Sequence, residues 1–366
     1  MSGSIFGKNF QISTWGESHG KALGVVIDGC PAGLELCEED IQKFLDRRKP
    51  GQSKISTPRK ENDQVEILSG VFEGKTTGTP ISLLVPNTSP RSQDYSEIAG
   101  YYRPGHADYS FDAKYGFRDY RGGGRSSGRE TIGRVAAGAI AIKLLNHLGV
   151  RLTAYTQSIG PVSINKERFD KDAILETITA MPDREASVKA EEYLALCMKE
   201  LDSVGGVIEC VIEGLPAGIG DPVFDKLDAG LAKAMLSIGA VKGFEMGDGM
   251  KAATSKGSEN NDAFVMRNNH ISKKTNHSGG VLGGISDGSD VVFRVAVKPT
   301  PSIFREQETV NKAGEEIKIK IKGRHDPIIV PRAVVVVEAM AAITVLDAMI
   351  ANMSAKVESL EKFYRN

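Results

Sequence analysis

The sequence predicts an α+β sandwich built from antiparallel sheets, and three observations point there. Strand-like segments are short and β-branched and do not alternate regularly with helical ones, as a doubly wound parallel sheet would require. An apolar strand, a Gly/Pro turn and an amphipathic helical stretch occur twice, in the same order. The most apolar stretch, 333–353, is interrupted by Glu338 and Asp347, so it reads as a buried helix rather than a membrane span.

Strands are expected over 65–68, 81–85, 207–212, 291–297 and 317–321, where β-branched residues dominate. Helices are expected over 38–48, 128–148, 185–201, 222–236 and 333–353, where apolar residues recur at helical spacing. The repeat aligns Val26-Ile27-Asp28-Gly29-Cys30-Pro31-Ala32-Gly33-Leu34 with Val211-Ile212-Glu213-Gly214-Leu215-Pro216-Ala217-Gly218-Ile219. It continues from Gly70-Val71-Phe72-Glu73-Gly74 to Gly280-Val281-Leu282-Gly283-Gly284. The offset grows from 185 residues (Val26 to Val211) to 210 (Gly70 to Gly280), so the second half carries insertions. One domain over 1–366 is expected, with related halves at about 1–150 and 200–350 and an internal pseudo-two-fold axis. Stretches 49–62, 86–124, 247–279 and 299–312 are long, polar and mixed in content. They are expected to be irregular loops that build a site and order with its ligand.

Lys and Arg total 46 against 47 Asp and Glu, so no global field draws nucleic acid, and a basic site must be local. The cysteines Cys30, Cys37, Cys197 and Cys210 form no C-x-x-C pair or zinc spacing. They read as reduced, mostly buried thiols of a cytoplasmic protein. The N-terminal segment lacks the charged and apolar regions of a signal peptide.

The strongest chemical signal is Arg118-Asp119-Tyr120-Arg121-Gly122-Gly123-Gly124-Arg125-Ser126-Ser127-Gly128-Arg129-Glu130, followed by Arg134. Glycines admit a ligand to the backbone, a helix N-terminus favours anions, and arginine supplies a planar fork for phosphate or carboxylate. Ser127 to Glu130 has the spacing of a capping box for the 128–148 helix. The stretch is neither a Walker loop nor a dinucleotide fingerprint, and no NAD(P)H site is visible. His19, His106 and His325 each lie in a Gly-flanked loop with a charged neighbour, which suits proton transfer near neutrality. His147 reads as a surface or capping residue. Asp46 to Lys54 forms a second basic stretch, and no histidine has metal-ligand spacing. These residues describe an anion-binding enzyme with histidine acid–base groups. The rival from another class is a phosphate-ligand or RNA-binding protein built on the Gly/Arg loop, and the near-neutral total charge argues against RNA.

The motifs carry a resemblance. G-E-S-H-G at 16–20, R-P-G-H-A-D at 103–108, D-Y-R-G-G-G-R-S-S-x-R-E at 119–130, S-I-x-A-V-K-G at 237–243, G-G-x-x-G-G-I at 279–285, K-P-T-x-S at 298–302 and G-R-H-D-P at 323–327 resemble chorismate synthases of the monofunctional bacterial type, in family order along nearly the whole chain. The resemblance implies a β-α-β sandwich with antiparallel sheets around central helices, and a homotetramer. It implies a lyase that turns 5-enolpyruvylshikimate 3-phosphate into chorismate and phosphate by 1,4-anti elimination, using reduced FMN from an external reductant. On that basis His19 assists the leaving phosphate. His106 stabilises the reduced flavin, Asp326 assists proton transfer, and Ser18 and Ser127 join the relay. Arg48, Lys54, Arg103, Arg129 and Arg324 are expected to bind substrate. Arg125, Ser126, Ser127, Gly239, Ala240, Gly283, Lys298, Pro299, Thr300, Pro301, Ser302 and Arg324 are expected to bind FMN. No metal, nucleic-acid or membrane partner is implied. Lys54 stands where many relatives carry arginine, and Gly128 where alanine is more usual.

Overall fold

The computed structural model describes residues 3–51, 62–87, 97–267, 269–321 and 326–365. Two five-stranded sheets enclose a layer of helices. The first sheet runs Ile5–Phe6, Gln11–Gly16, Ala22–Asp28, Ile81–Pro86, Glu66–Ser69. The second, read from the matching edge, runs Val162–Ser163, Arg151–Ile159, Gly206–Glu213, Val291–Val297, Val241–Met246. Every neighbouring pair is antiparallel. The three strands away from that edge follow the same chain order in both sheets, whereas the edge strand precedes its neighbour in the first sheet and follows it in the second.

The repeat extends to individual hydrogen bonds. Gly33 N–H donates to Thr76 O at 2.8 Å, and Gly218 N–H to Ser286 O at 2.9 Å. Thr76 Oγ1 donates to Pro31 O at 2.7 Å, and Ser286 Oγ to Pro216 O at 2.6 Å. Leu34 and Ile219 N–H donate to those same hydroxyls at 3.0 and 2.9 Å. Gly29 and Gly214 open the two turns at φ 82° and 75°, and a Cβ on either would stand within 2.4 Å of a carbonyl oxygen. Glycine is therefore required at both turns by conformation and by space.

The helices Thr131–His147 and Val330–Asn352 are apolar on all sides because each touches sheet and helix at once. They pack against each other so closely that a Cβ on Gly138 would lie 2.3 Å from Ala339 Cβ. Val330–Asn352 is long and apolar enough to cross a membrane, and here it forms the buried centre of the sandwich. Glu338 is buried on this helix, and its carboxyl is pushed up by burial against the pull of Arg47, whose Nη2 lies 2.7 Å from Oε2.

Several sequence expectations are corrected in detail. The helix expected over 222–236 starts at Leu227, because the residues before it form a turn and Leu227 N–H is taken by Gly284 O at 2.8 Å. The last long helix starts at Val330, three residues early, with Pro331 in its first turn, where no N–H is needed. Strands Arg151–Ile159 and Val241–Met246 add to those expected. Three stretches expected to be irregular hold regular structure. Asp108–Tyr115 is a helix, Phe264–Arg267 pairs with His270–Lys273, and Glu306–Val310 pairs with Glu316–Lys320. The second of these is ordered by its own chain. Buried Lys273 Nζ donates to Asp262, Asn276, Ser278 and Asp287 at 2.7–3.2 Å, which ties that segment together through its own side chains. Cys30, Cys197 and Cys210 are buried free thiols, and Cys37 is exposed.

Candidate active site

The site is assembled at the N-terminal end of the Thr131–His147 helix. Ser127 N-caps its leading 3₁₀ turn (128–130) and accepts Arg129 N–H at 3.3 Å. The expected capping box is only half made. Glu130 Oε1 accepts from Thr14 Oγ1 at 3.0 Å and Oε2 from Arg134 Nε at 2.8 Å, so its carboxylate is engaged away from the cap.

The five arginines of the Gly-rich stretch do not share one destination. Arg118 binds Asp112 and the carbonyls of Ile98 and Tyr101. Arg121 pairs with Asp119 on the surface. Arg125 ties the loop to the strand carrying Thr14 and Gly16, and Arg134 reaches Ser237 Oγ at 2.6 Å. Only Arg129 turns toward Arg48. Arg48 Nη2 and Arg129 Nη1 grip opposite oxygens of Asp63, the latter at 3.1 Å, and all three side chains are buried. Arg48 Nη1 also donates to Gly128 O at 3.3 Å, while its Nε is buried with no hydrogen-bond partner among the described residues. Arg332 Nε donates to Arg48 O at 3.0 Å and its Nη1 to Asp326 Oδ2 at 2.5 Å. Among the described residues, three guanidiniums meet two carboxylates here, and such a concentration of arginine suits an anionic ligand.

Asn87 joins this cluster to the loop of Ser18 and His19. Its Oδ1 accepts Arg129 Nε at 3.0 Å, and its Nδ2 donates to Glu17 O and Gly20 O at 3.0 and 2.8 Å. Ser18 Oγ lies 3.0 Å from His19 Nδ1. The middle of the Gly-rich run backs the histidine: a Cβ on Gly122 would stand 2.5 Å from His19 Cε1 and Nδ1. Gly122→Ala is expected to push the ring aside and lower kcat by about 10²-fold, the effect of roughly 1 Å of misplacement. Steady-state kinetics alongside an unchanged melting curve would verify this, and a kcat within twofold of the parent's would show that the ring tolerates the methyl group.

His106 belongs to a second cluster. Its Nδ1 lies 3.0 Å from Pro104 O, a pure acceptor, so Nδ1 carries the proton. Nε2 of the neutral ring then accepts from Ser302 Oγ at 3.0 Å. Burial, then the nearby Arg103 charge, pushes this imidazole down to about 4. Arg103 is itself held by Asp108, through Nε and Nη2 at 2.8 Å each. Lys298 Nζ donates to Gly105 O at 2.9 Å and Lys298 N–H to Ala240 O at 2.9 Å, which brings 239–240 and 298–302 to the histidine. Ser203 Oγ donates to Thr300 O at 2.7 Å while Val204 N–H donates to Pro327 O, so Asp326 adjoins the same edge.

The flavin implied by the resemblance has residues that fit it here. Thr300 Oγ1 is buried without a hydrogen-bond partner among the described residues, a Cβ on Gly239 would meet nothing within 4 Å, and Ala240 holds a left-handed φ of 73°. Gly283 is not brought to this cluster within the chain. It sits in a hairpin turn beside the N-terminus of the Leu227–Leu236 helix, whereas Gly239 follows the C-terminus, about 15 Å along the axis. Lys54, Arg324 and His325 lie outside the described residues. Asp63, Asn87 and Arg332 were not singled out in the sequence, and Gly122 appeared there as one of the glycines that admit a ligand rather than as the backing of His19. Of the first three, only Arg332, six residues past Asp326 and preceded by proline, had a signal near a motif.

A chorismate synthase family profile matches residues 10–350. The chain belongs to the chorismate synthase family. It is 68% identical to the chorismate synthase of Agathobacter rectalis over 100% of both chains, and 55% identical to that of Methanosarcina mazei over 96% of this chain and 97% of that one. A solved chorismate synthase structure superposes with a TM-score of 0.77 at 31% identity, covering 98% of this chain and 97% of that one. The α+β sandwich expected from the sequence is the fold of this family. As a chorismate synthase family member, the chain is an enzyme of chorismate formation, a lyase of aromatic amino acid biosynthesis acting on a small molecule.

Proposed function

We propose that the chain converts 5-enolpyruvylshikimate 3-phosphate to chorismate and phosphate by 1,4-anti elimination, with reduced FMN as its cofactor. The observation that carries this reading is the hydrogen-bonded link from Arg48, Asp63 and Arg129 through Asn87 to the Ser18–His19 loop. It sets an anion-binding pair beside a proton donor, as loss of a phosphate demands. Arg48 and Arg129 receive the substrate's anionic groups, with Lys54, Arg103 and Arg324 as further binders. His19 gives a proton or hydrogen bond to the leaving phosphate, where negative charge develops as the C–O bond breaks. Asp326 assists the transfer of the C6 proton, and Arg332 on Oδ2 keeps that carboxylate oriented. Ser18 fixes the His19 ring, and Ser127 holds the start of the helix.

Reduced FMN, when bound, supplies an electron-rich partner to an elimination with no net redox change. Arg125, Ser126, Ser127, Gly239, Ala240 and 298–302 would hold it, with His106 and Arg324 beside it. His106 offers Nε2 as the atom that gains a proton when an anion arrives, since such a charge offsets Arg103 and Lys298. A cytoplasmic homotetramer supplied by an external flavin reductant completes the reading.

The test is anaerobic. The purified chain is mixed with photoreduced FMN and 5-enolpyruvylshikimate 3-phosphate, and chorismate absorbance and phosphate release are followed. Equal amounts of both products with the flavin still reduced are expected. Net flavin oxidation matching turnover, or flavin-loaded folded protein yielding neither product, would reject the assignment.

A further inference from the structure

We propose that Asp63 is a positioning residue that acts as a built-in competitor for the substrate's anionic group. The inference rests on the reading that Arg48 and Arg129 receive that group.

The Asp63 side chain is fully buried, and each of its oxygens faces a different guanidinium. Its partners lie 15 and 66 residues away in the chain, so no local turn explains the arrangement. Its backbone sits at φ 45°, a left-handed conformation that aspartate and asparagine adopt more readily than other residues with a Cβ. Among the described residues, this one carboxylate is shared by two buried guanidiniums. Arg48 Nε, buried without a hydrogen-bond partner among the described residues, is a donor that an arriving anion can use.

Two consequences follow from this geometry. Asp63 sets the direction of both forks before any ligand arrives, which serves orientation. It also spends part of their charge, because the attraction each guanidinium offers a ligand is opposed by the carboxylate already bound to it. Orientation and affinity are therefore traded against each other at one residue. Removing the Asp63 charge while keeping its shape should tighten anion binding and slow turnover together. A residue that merely supported the fold would do neither.

Asp63→Asn is the suitable variant, because asparagine tolerates the same φ and keeps the shape while losing the charge and exchanging one acceptor oxygen for an N–H donor. The full-length parent and variant are titrated with inorganic phosphate by calorimetry, their melting curves are recorded, and kcat and KM are measured with substrate. The variant is expected to bind phosphate about tenfold more tightly. Its KM should not rise, and its kcat should fall by about 10–10²-fold. A folded variant that binds phosphate no more tightly, or keeps the parent's kcat, overturns the inference alone. A parent that binds no phosphate removes the anion-site reading and the inference with it. If Asp63→Asn does not fold, Asp63→Glu carries the test, since it keeps the charge but displaces it by one methylene. Unchanged phosphate affinity with reduced kcat is then expected, and an unchanged kcat refutes the proposal.

Discussion

His19→Ala is expected to lower kcat by about 10²–10⁴-fold, the range for loss of a positioned acid–base group. Three separate parts of the chain hold this ring or its loop. Ser18 Oγ meets Nδ1, Gly122 leaves room for the ring edge, and Asn87 pins the carbonyls of Glu17 and Gly20. So much fixation suits a group that must meet one oxygen at the moment its bond breaks. Because that contact strengthens only in the transition state, kcat and kcat/KM should fall together and KM should change little. Steady-state kinetics with the variant's melting temperature as control decide the matter. Near-full activity would remove His19 from the chemistry, and a pure KM effect would make it a ground-state binder.

His106→Ala should cost activity on the same scale of about 10²–10⁴-fold, and it should also alter acid stability. The imidazole is depressed to about 4 by burial, with Arg103 next in effect and the Pro104 carbonyl and Asp108 opposing. An ordinary histidine titrates near about 6.5 when the chain unfolds. The folded state therefore binds the proton less well than the unfolded state. The corresponding stability is fully present above about 6.5 and drains away as pH falls through about 4. The parent's melting temperature should decline across that window, and His106→Ala should decline less steeply there. Melting curves from pH 7 to 4 test the sign, and identical slopes would show that His106 is not the group responsible. An anionic ligand bound at the Ser302 side should raise the imidazole's affinity for a proton, which NMR titration of the ring reads directly.

What could be read from the residues alone was local or periodic. The Glu38–Arg48 helix and the Val291–Val297 strand fall where the pattern of apolar residues put them, since burial on one face repeats with the period of the element. The turns at Gly29 and Gly214 were visible because glycine was needed in both halves. His19, His106 and Ser127 stood out because each lies inside a short run of glycine and polar residues. The pairing of Asp63 with Arg48 and Arg129 had no such trace, because it joins residues 15 and 66 positions apart across two loops. Asn87 is one polar residue after a strand until it bridges Arg129 and the His19 loop. The five arginines near the Gly-rich run looked equivalent in the sequence, and folding sends four of them to other partners. Sequence spacing carries the period of a helix or strand and the needs of a turn. Which charged groups meet at the site depends on how the sheets and central helices close over one another, and that information is spread across the whole chain.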